Sequence, residues 1–307
     1  MRWMEKSNLV LTLPIAFLLM LRLADCQPAE QEQSQVAAPA VQVERDIPYL
    51  TPGRTEKLDL YRPAGMVKDR KYPGIVVIHG GSWQGGEKNG PIELDFATKL
   101  SRAGYICVSI DYVLSQKGHP AWPQILYDCK FAVQFLRKFA CRYQVDAGHI
   151  GVIGDSAGGH LALMVGLTGG QRALEPGDPY RGISSRVQAV VSFYGPTNLP
   201  EWHDGQESCE LLLGAPREQV PALWHLASPV NQVSTDDPPT LVVHGSKDKG
   251  IPVSQAQELD AILQQRGVQH ELLVLEGAPH AFSLQWRQVD LRPRVVGFFD
   301  QYLKRKR

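Results

Sequence analysis

The stretch Gly154-Asp155-Ser156-Ala157-Gly158 sets one hydroxyl between two glycines. It follows the apolar run "HIGVI" and precedes the helical pattern "AGGHLALMVG". A G-x-S-x-G run where a strand meets a helix forces the serine into a strained turn. Glycines two residues to either side let strand and helix approach, and the hydroxyl stands exposed above the sheet edge. It also lies at a helix N-terminus, where developing negative charge is favoured. Away from such a junction, the same five residues are only a glycine-rich turn with a capping serine.

A serine hydroxyl is a weak nucleophile and needs a base. Of the nine histidines, His280 in "LEGAPHAF" follows the late apolar run "HELLVLEG" in a Gly/Pro loop, which predicts a position at the same sheet edge as Ser156. His79 and His244 also follow apolar runs, but each directly precedes a glycine in its own turn, and the chain order Ser…Asp…His favours a late histidine. The base needs a carboxylate to fix its tautomer. Asp248 in "LVVHGSKDKGIP" follows a run; Asp236 and Asp237 precede it, and Glu258 and Asp260 sit in a helical pattern. Glu276 remains a conceivable substitute, four residues before His280. Acyl transfer also requires donors for an oxyanion. In "VIHGGSWQGG", Gly80 and Gly81 present unobstructed N–H groups which, with that of Ala157, predict a three-donor hole. Neither a phosphate-loop pattern nor a dinucleotide fingerprint is present, and no metal-ligand spacing appears, so the chemistry calls for no cofactor.

The elements that must carry these residues read as an alternation. "ERDIPYL" and "EKLDLYRP" predict an antiparallel start. "PGIVVIHG", "YICVSIDY", "HIGVIGDS", "VQAVVSFYG", "PTLVVHG" and "HELLVLEG" predict buried strands, interleaved with helical patterns that include a single helix over "PQILYDCKFAVQFLRKFACRY". Apolar runs lacking period-two alternation, each followed by a helix, imply an α/β fold: a mostly parallel sheet covered on both faces, with ligands at the carboxyl ends of its strands. The alternation breaks at about residues 196–237, a Pro- and Trp-rich insertion that reads as a lid or a substrate-shaping element. Trp202 and Trp224 within it are candidates to stack on a sugar or aromatic acyl group, with packing of the insertion as the alternative role.

The motif set "HGGSW", "SIDY", "GDSAGGH", "HGSKD" and "PHAF", in that order over about residues 43–305, resembles the α/β-hydrolase superfamily. More narrowly it is similar to the hormone-sensitive-lipase-like esterases and the bacterial feruloyl- and acetyl-xylan-esterase-like group. The resemblance implies a serine carboxylester hydrolase with Ser156 as nucleophile, His280 as base, Asp248 as its orienter, and Gly80, Gly81 and Ala157 as donors. Three departures stand out: Ser82 replaces a third glycine, Val113 an arginine, and Ala281 a glycine. Ser82 and the adjacent Trp83 therefore join the substrate-shaping candidates, and the ion pair that an arginine at 113 would make is either absent or rebuilt. Two other readings stay open: a peptidase of the prolyl-oligopeptidase kind, and a non-catalytic binding protein on a hydrolase scaffold.

Length and composition agree with an enzyme of this size. The chain has 307 residues, 32 basic and 32 acidic, which gives no electrostatic reason to expect nucleic acid; the expected partner is a small-molecule or polysaccharide ester. Arg2 and Lys6 precede an uncharged run from Leu9 to Leu21, too short to span a bilayer comfortably and fitting a signal peptide over residues 1–26. "LADC", ending at Cys26, adds lipidation as a route to a membrane anchor, and an uncleaved signal is another. The expectation is export, periplasmic or extracellular, followed by a disordered tether over residues 27–42 and a catalytic domain over 43–307. Cys107 should be a buried small hydrophobe. Cys129 and Cys141, if on one helix, lie about 18 Å apart, too far to bridge. The basic end "LKRKR" reads as a solvated helix terminus.

Overall fold

The computed structural model of the protein describes residues 40–304. The expected signal segment, Cys26 and nearly all of the expected tether lie outside the described residues, as do the last three residues of the basic end. In chain order the elements are β1 (Val41–Pro48), β2 (Lys57–Pro63), β3 (Tyr72–Ile78), α1 (Pro91–Arg102), β4 (Ile106–Ile110), α2 (Gln124–Lys138), α3 (Ala140–Tyr143), β5 (Val145–Asp155) and α4 (Ala157–Leu167). There follow β6 (Ala189–Phe193), α5 (Gln206–Leu213), α6 (Pro221–Leu226), β7 (Thr240–Gly245), α7 (Val253–Arg266), β8 (His270–Leu275), a small hairpin of β9 (Gln285–Trp286) and β10 (Val289–Asp290), and α8 (Arg292–Leu303).

Eight strands form one sheet in the order β1-β2-β4-β3-β5-β6-β7-β8. The β1–β2 and β2–β4 pairs are antiparallel and the remaining pairs parallel, as the α/β-hydrolase reading expects. The continuous apolar runs are explained by two cores. Along β3, Val76 and Ile78 face a layer containing residues of α2, α4 and α7, while Ile75 and Val77 face α1 and α8. Burial on both faces removes the polar half of the usual strand alternation, and each such side chain contributes about 1.5–3 kcal/mol. Helix α4 is buried along its whole length, so the helix that follows Ser156 is anchored on every side.

Local boundaries differ from the sequence pattern in three places. The long helix expected through Cys141 divides at Phe139, which leaves helical geometry at φ −100° and ψ 22° and packs its ring 4.8 Å from that of Phe135. Cys129 and Cys141 therefore sit on separate helices, α2 and α3. Strand β1 begins at Val41, two residues inside the stretch expected to be tether, because its pairing with β2 already holds there. The helix before the basic end stops at Leu303, and Lys304 is tied down, paired with Asp300 and donating to the Ala103 carbonyl.

Candidate active site

Strand β5 ends at Asp155 and α4 begins at Ala157, leaving Ser156 as the corner residue at φ 52° and ψ −119°. That conformation costs an L-residue about 1–3 kcal/mol, and the surroundings enforce it. Ser156 N–H donates to the Phe193 carbonyl at 2.9 Å, and the His160 N–H donates to the Ser156 carbonyl at 3.0 Å. A side-chain carbon on Gly154 would come within 2.3 Å of the Gly158 carbonyl, and one on Gly158 within 2.1 Å of the Ile78 carbonyl. Strand and helix meet too closely at this corner for any other residue.

The two partners read from the sequence converge on the serine from separate loops. The Ser156 hydroxyl lies 3.0 Å from His280 Nε2 in the loop after β8. His280 Nδ1 lies 2.7 Å from Asp248 Oδ2 in the loop after β7. Because an ionised carboxylate only accepts, this contact puts a proton on Nδ1 and leaves Nε2 free to accept from the serine. Burial alone would raise the Asp248 carboxyl. Hydrogen bonds from His244, His280 and the Ile251 N–H outweigh it and hold the group well below the ordinary carboxylate range. The other oxygen, Oδ1, accepts from Gly250 N–H and Ile251 N–H, both at 2.9 Å.

Two supporting residues were given no role in the sequence reading. His244, set aside there as a base, is fully buried; its Nε2 donates to the Ile251 carbonyl at 2.8 Å and sits 3.5 Å from Asp248 Oδ2. Tyr194 packs its ring edge-on to the His280 imidazole at 4.7 Å, and its hydroxyl donates to the Phe282 carbonyl at 2.6 Å. Glu276, the alternative orienter, is an exposed residue just past β8, and no contact between it and His280 is among those of the described residues. Asp236 and Asp237 are occupied with Ser234 and Arg186, before β7.

The glycine loop after β3 corrects one expectation. Gly80 N–H is not free, because it donates to the Asp155 carboxylate at 3.1 Å. Among the described residues, the N–H groups of Gly81 and Ser82 donate to no protein acceptor, and Ala157 N–H opens α4. The N–H groups left without a protein acceptor are therefore those of Gly81, Ser82 and Ala157, one residue further along the loop than expected. Ser82 and Trp83 adopt left-handed φ values of 54° and 62°. The loop is braced by Tyr112, whose hydroxyl donates to the His79 carbonyl at 2.7 Å, and by Ser115 N–H, which donates to the Trp83 carbonyl at 2.8 Å.

Trp202 and Trp224 take the packing role, and Trp83 does not face the substrate side. Trp83 and Trp224 are completely buried and Trp202 is 8% exposed. Trp83 packs edge-on against His160 and Trp202. Trp224 Nε1 donates to the Ala215 carbonyl, and Trp202 Nε1 to the Gly250 carbonyl at 2.8 Å. These indoles fill the interior beside the site and present no open face for stacking. Of the substrate-shaping candidates, only Ser82 is exposed. The insertion itself is welded to the body: Leu199, Leu212 and Trp224 belong to the main core, Thr197 and Asn198 bond Gln255 of α7, and Gln84 of the glycine loop reaches Ser208 on α5.

The profile of the BD-FAE family matches residues 58–263. The chain belongs to the BD-FAE family. Among curated relatives, esterase LipQ of Mycobacterium tuberculosis is 31% identical over 82% of this chain and 59% of its own length. The probable carboxylic ester hydrolase LipM of the same organism is 32% identical over 78% of this chain and 56% of its own. This chain thus spans under three fifths of the length of either relative. A solved carbohydrate esterase from gut microbiota superposes with TM-score 0.77 at 25% identity, covering 86% of this chain and 96% of that one. An acetyl ester-xyloside bifunctional hydrolase from Caldicellulosiruptor lactoaceticus gives 0.69 at 27% identity, covering 84% and 93%.

The BD-FAE match spans Ser156 and Asp248 and stops before His280, so the histidine's place rests on the geometry above. Within this BD-FAE chain the missing arginine at 113 has been replaced from elsewhere. Asp128 on α2 has no exposed side-chain surface, and its carboxylate receives the Arg54 guanidinium at 2.6 and 3.2 Å. It also accepts Val113 N–H at 2.9 Å and Gln124 at 2.8 Å. The cation arrives from the β1–β2 connection, while position 113 contributes only its backbone.

Proposed function

We propose that the protein is a serine carboxylester hydrolase acting on short-chain acyl or polysaccharide-linked acetyl or feruloyl esters. The observation that carries this reading is the unbroken hydrogen-bonded line from Asp248 through His280 to Ser156, ending at the strained corner between β5 and α4. Ser156 Oγ attacks the ester carbonyl carbon while its proton passes to His280 Nε2. Asp248 stabilises the resulting imidazolium, and the oxyanion rests on the N–H groups of Gly81, Ser82 and Ala157. The tetrahedral centre collapses, the C–O bond to the alcohol breaks, and His280 returns the proton to the leaving oxygen. Water then repeats the sequence on the acyl-enzyme and releases the acid. The solved neighbours named as carbohydrate and acetyl ester hydrolases favour the sugar-linked acyl class. The export signal read in the sequence favours substrates met outside the cytoplasm.

Ser156→Ala should lower p-nitrophenyl acetate turnover by about 10⁴-fold or more. A variant that keeps most of the native rate would remove the nucleophile assignment. Deacetylation of acetylated xylan, or release of ferulate from methyl ferulate, tests the substrate class. Turnover confined to p-nitrophenyl esters would overturn the polysaccharide part.

A further inference from the structure

The formal charges of the chain cancel, but they are not evenly spread. Between Leu199 and Val230 the insertion carries Glu201, Asp204, Glu207, Glu210 and Glu218 against Arg217. The far end of the sheet is basic. It is the end where the parallel strands start: the Val41–Pro63 pair of β1 and β2, Tyr72 of β3, Ile106 of β4 and Val145 of β5 lie there. Ser156 lies past the other end, about 20 Å along the strands.

The β2–β3 connection carries Lys68, Arg70 and Lys71, all exposed, and Arg102 and Lys304 stand at the ends of α1 and α8. Among the described residues, Lys68, Arg70, Lys71 and Arg102 form no ion pair. Arg70, Lys71 and Lys304 line one depression of about 620 Å³. The acids nearby are Asp69, exposed in the same connection, Asp146 on the depression's wall, 3.0 Å from His149 Nδ1, and Asp300, paired with Lys304. The connection is a fixed surface. Gln144 Nε2 donates to the Val67 and Arg70 carbonyls at 2.9 and 3.0 Å, and Val67 N–H donates to the Tyr72 hydroxyl at 3.0 Å. The Arg70 guanidinium lies 5.1 Å over the Tyr72 ring. So held, the connection presents Val67, 58% exposed, beside Lys68.

Both ends of the described chain meet this basic end. Ala64 N–H donates to the Ala40 carbonyl at 2.9 Å, so residues 1–39, with the uncharged run Leu9–Leu21, join the domain next to the basic connection. Lys304 donates to the Ala103 carbonyl, and Arg305, Lys306 and Arg307 continue the sequence from it. Cations around an outward aliphatic side chain match a surface that is anionic outside and apolar beneath. We propose that this end of the domain docks on the anionic phospholipid headgroups of a bilayer, with Val67 entering the headgroup layer and Ser156 turned away from it. The acidic insertion reinforces that orientation, because the same surface repels it.

Lipid titration of the full chain by vesicle co-sedimentation tests this and needs no esterase activity. Affinity should be higher for vesicles of equal parts phosphatidylglycerol and phosphatidylcholine than for phosphatidylcholine alone, and the difference should vanish as salt approaches about 1 M. Lys68→Gln/Arg70→Gln/Lys71→Gln should lose about a hundredfold in affinity for the anionic vesicles, roughly fivefold per charge, with phosphatidylcholine binding unchanged. Lysine acylation read by mass spectrometry on the native chain gives the orientation, which an inserted apolar run alone would not impose. Lys68 and Lys71 should be shielded on anionic vesicles, while Lys247 and Lys249, exposed beside Asp248, react as they do in solution. Affinity indifferent to anionic lipid, native affinity in the triple variant, or Lys68 and Lys71 as reactive on vesicles as Lys247 and Lys249 would each overturn the proposal. Retention on an acidic polysaccharide with none on anionic vesicles would also overturn it and assign the patch to a glycan.

Discussion

On the proposed reading, His280 acts as a base in only one tautomer, and Asp248 selects it. With the carboxylate accepting from Nδ1 at 2.7 Å, Nε2 is left bare toward the serine 3.0 Å away. Asp248→Asn removes that selection, since an amide can donate to Nδ1 and drive the proton to Nε2. It should lower kcat by about three to four orders of magnitude at neutral pH with KM nearly unchanged, measured with p-nitrophenyl acetate. Asp248→Glu with native rates would contradict so tight a placement. The three side chains were legible because each follows an apolar run in a motif whose order constrains the choice. The free N–H groups of the glycine loop were legible only to within one residue. Which loop N–H is free depends on Asp155, whose side-chain direction leaves no trace in composition or spacing. The two roles open to Trp202 and Trp224 could not be separated for a similar reason: an indole that must satisfy one N–H is as useful inside a core as on a binding face.

At the scale of elements, the β1–β2 connection does work that would otherwise fall to the turn after β4. Arg54 is 24% exposed and Asp128 wholly buried, and the carboxylate also anchors Val113 N–H in the turn that braces the oxyanion loop. Arg54→Ala strands a buried acid. Burial already pushes the Asp128 carboxyl up, against its hydrogen bonds, so it can take a proton instead of remaining a bare charge. The expected loss is about 3 kcal/mol, the low end for a broken buried pair, read from chemical denaturation. Arg54→Ala/Asp128→Asn should recover part of it, because the amide keeps partners in Gln124 and Val113 and needs no cation. Equal stability of the single and double variants would contradict this reading. The sequence pattern located the strands and the order of helices well. It overran the helix end at Phe139 because apolar spacing continues through α3 while the backbone does not.

Across the whole molecule, the α/β-hydrolase architecture was readable because burial on both sheet faces writes itself into uninterrupted apolar runs. The insertion over 196–237 was readable as a break but not as part of the core, since Pro- and Trp-rich sequence describes a loop and a buried cap equally well. Global stability should also report on the site. Asp248 is held below its unfolded value, so it contributes stability above the ordinary carboxylate pKa, about 4, and loses it progressively as pH falls further. The gap in Tm between native protein and Asp248→Asn should therefore narrow as pH drops below about 4. A gap constant from pH 7 downward would mean that the carboxylate's charge plays no part in folding.

The bond from the Trp202 indole to the Gly250 carbonyl fastens the insertion to the very turn that presents Asp248. Changes to the insertion therefore reach the turn that holds Asp248. A graft of a foreign cap lacking an indole at this place would leave the acid's turn unmoored. Efforts to widen specificity by exchanging this segment will have to carry the tryptophan across, or lose rate with every substrate alike.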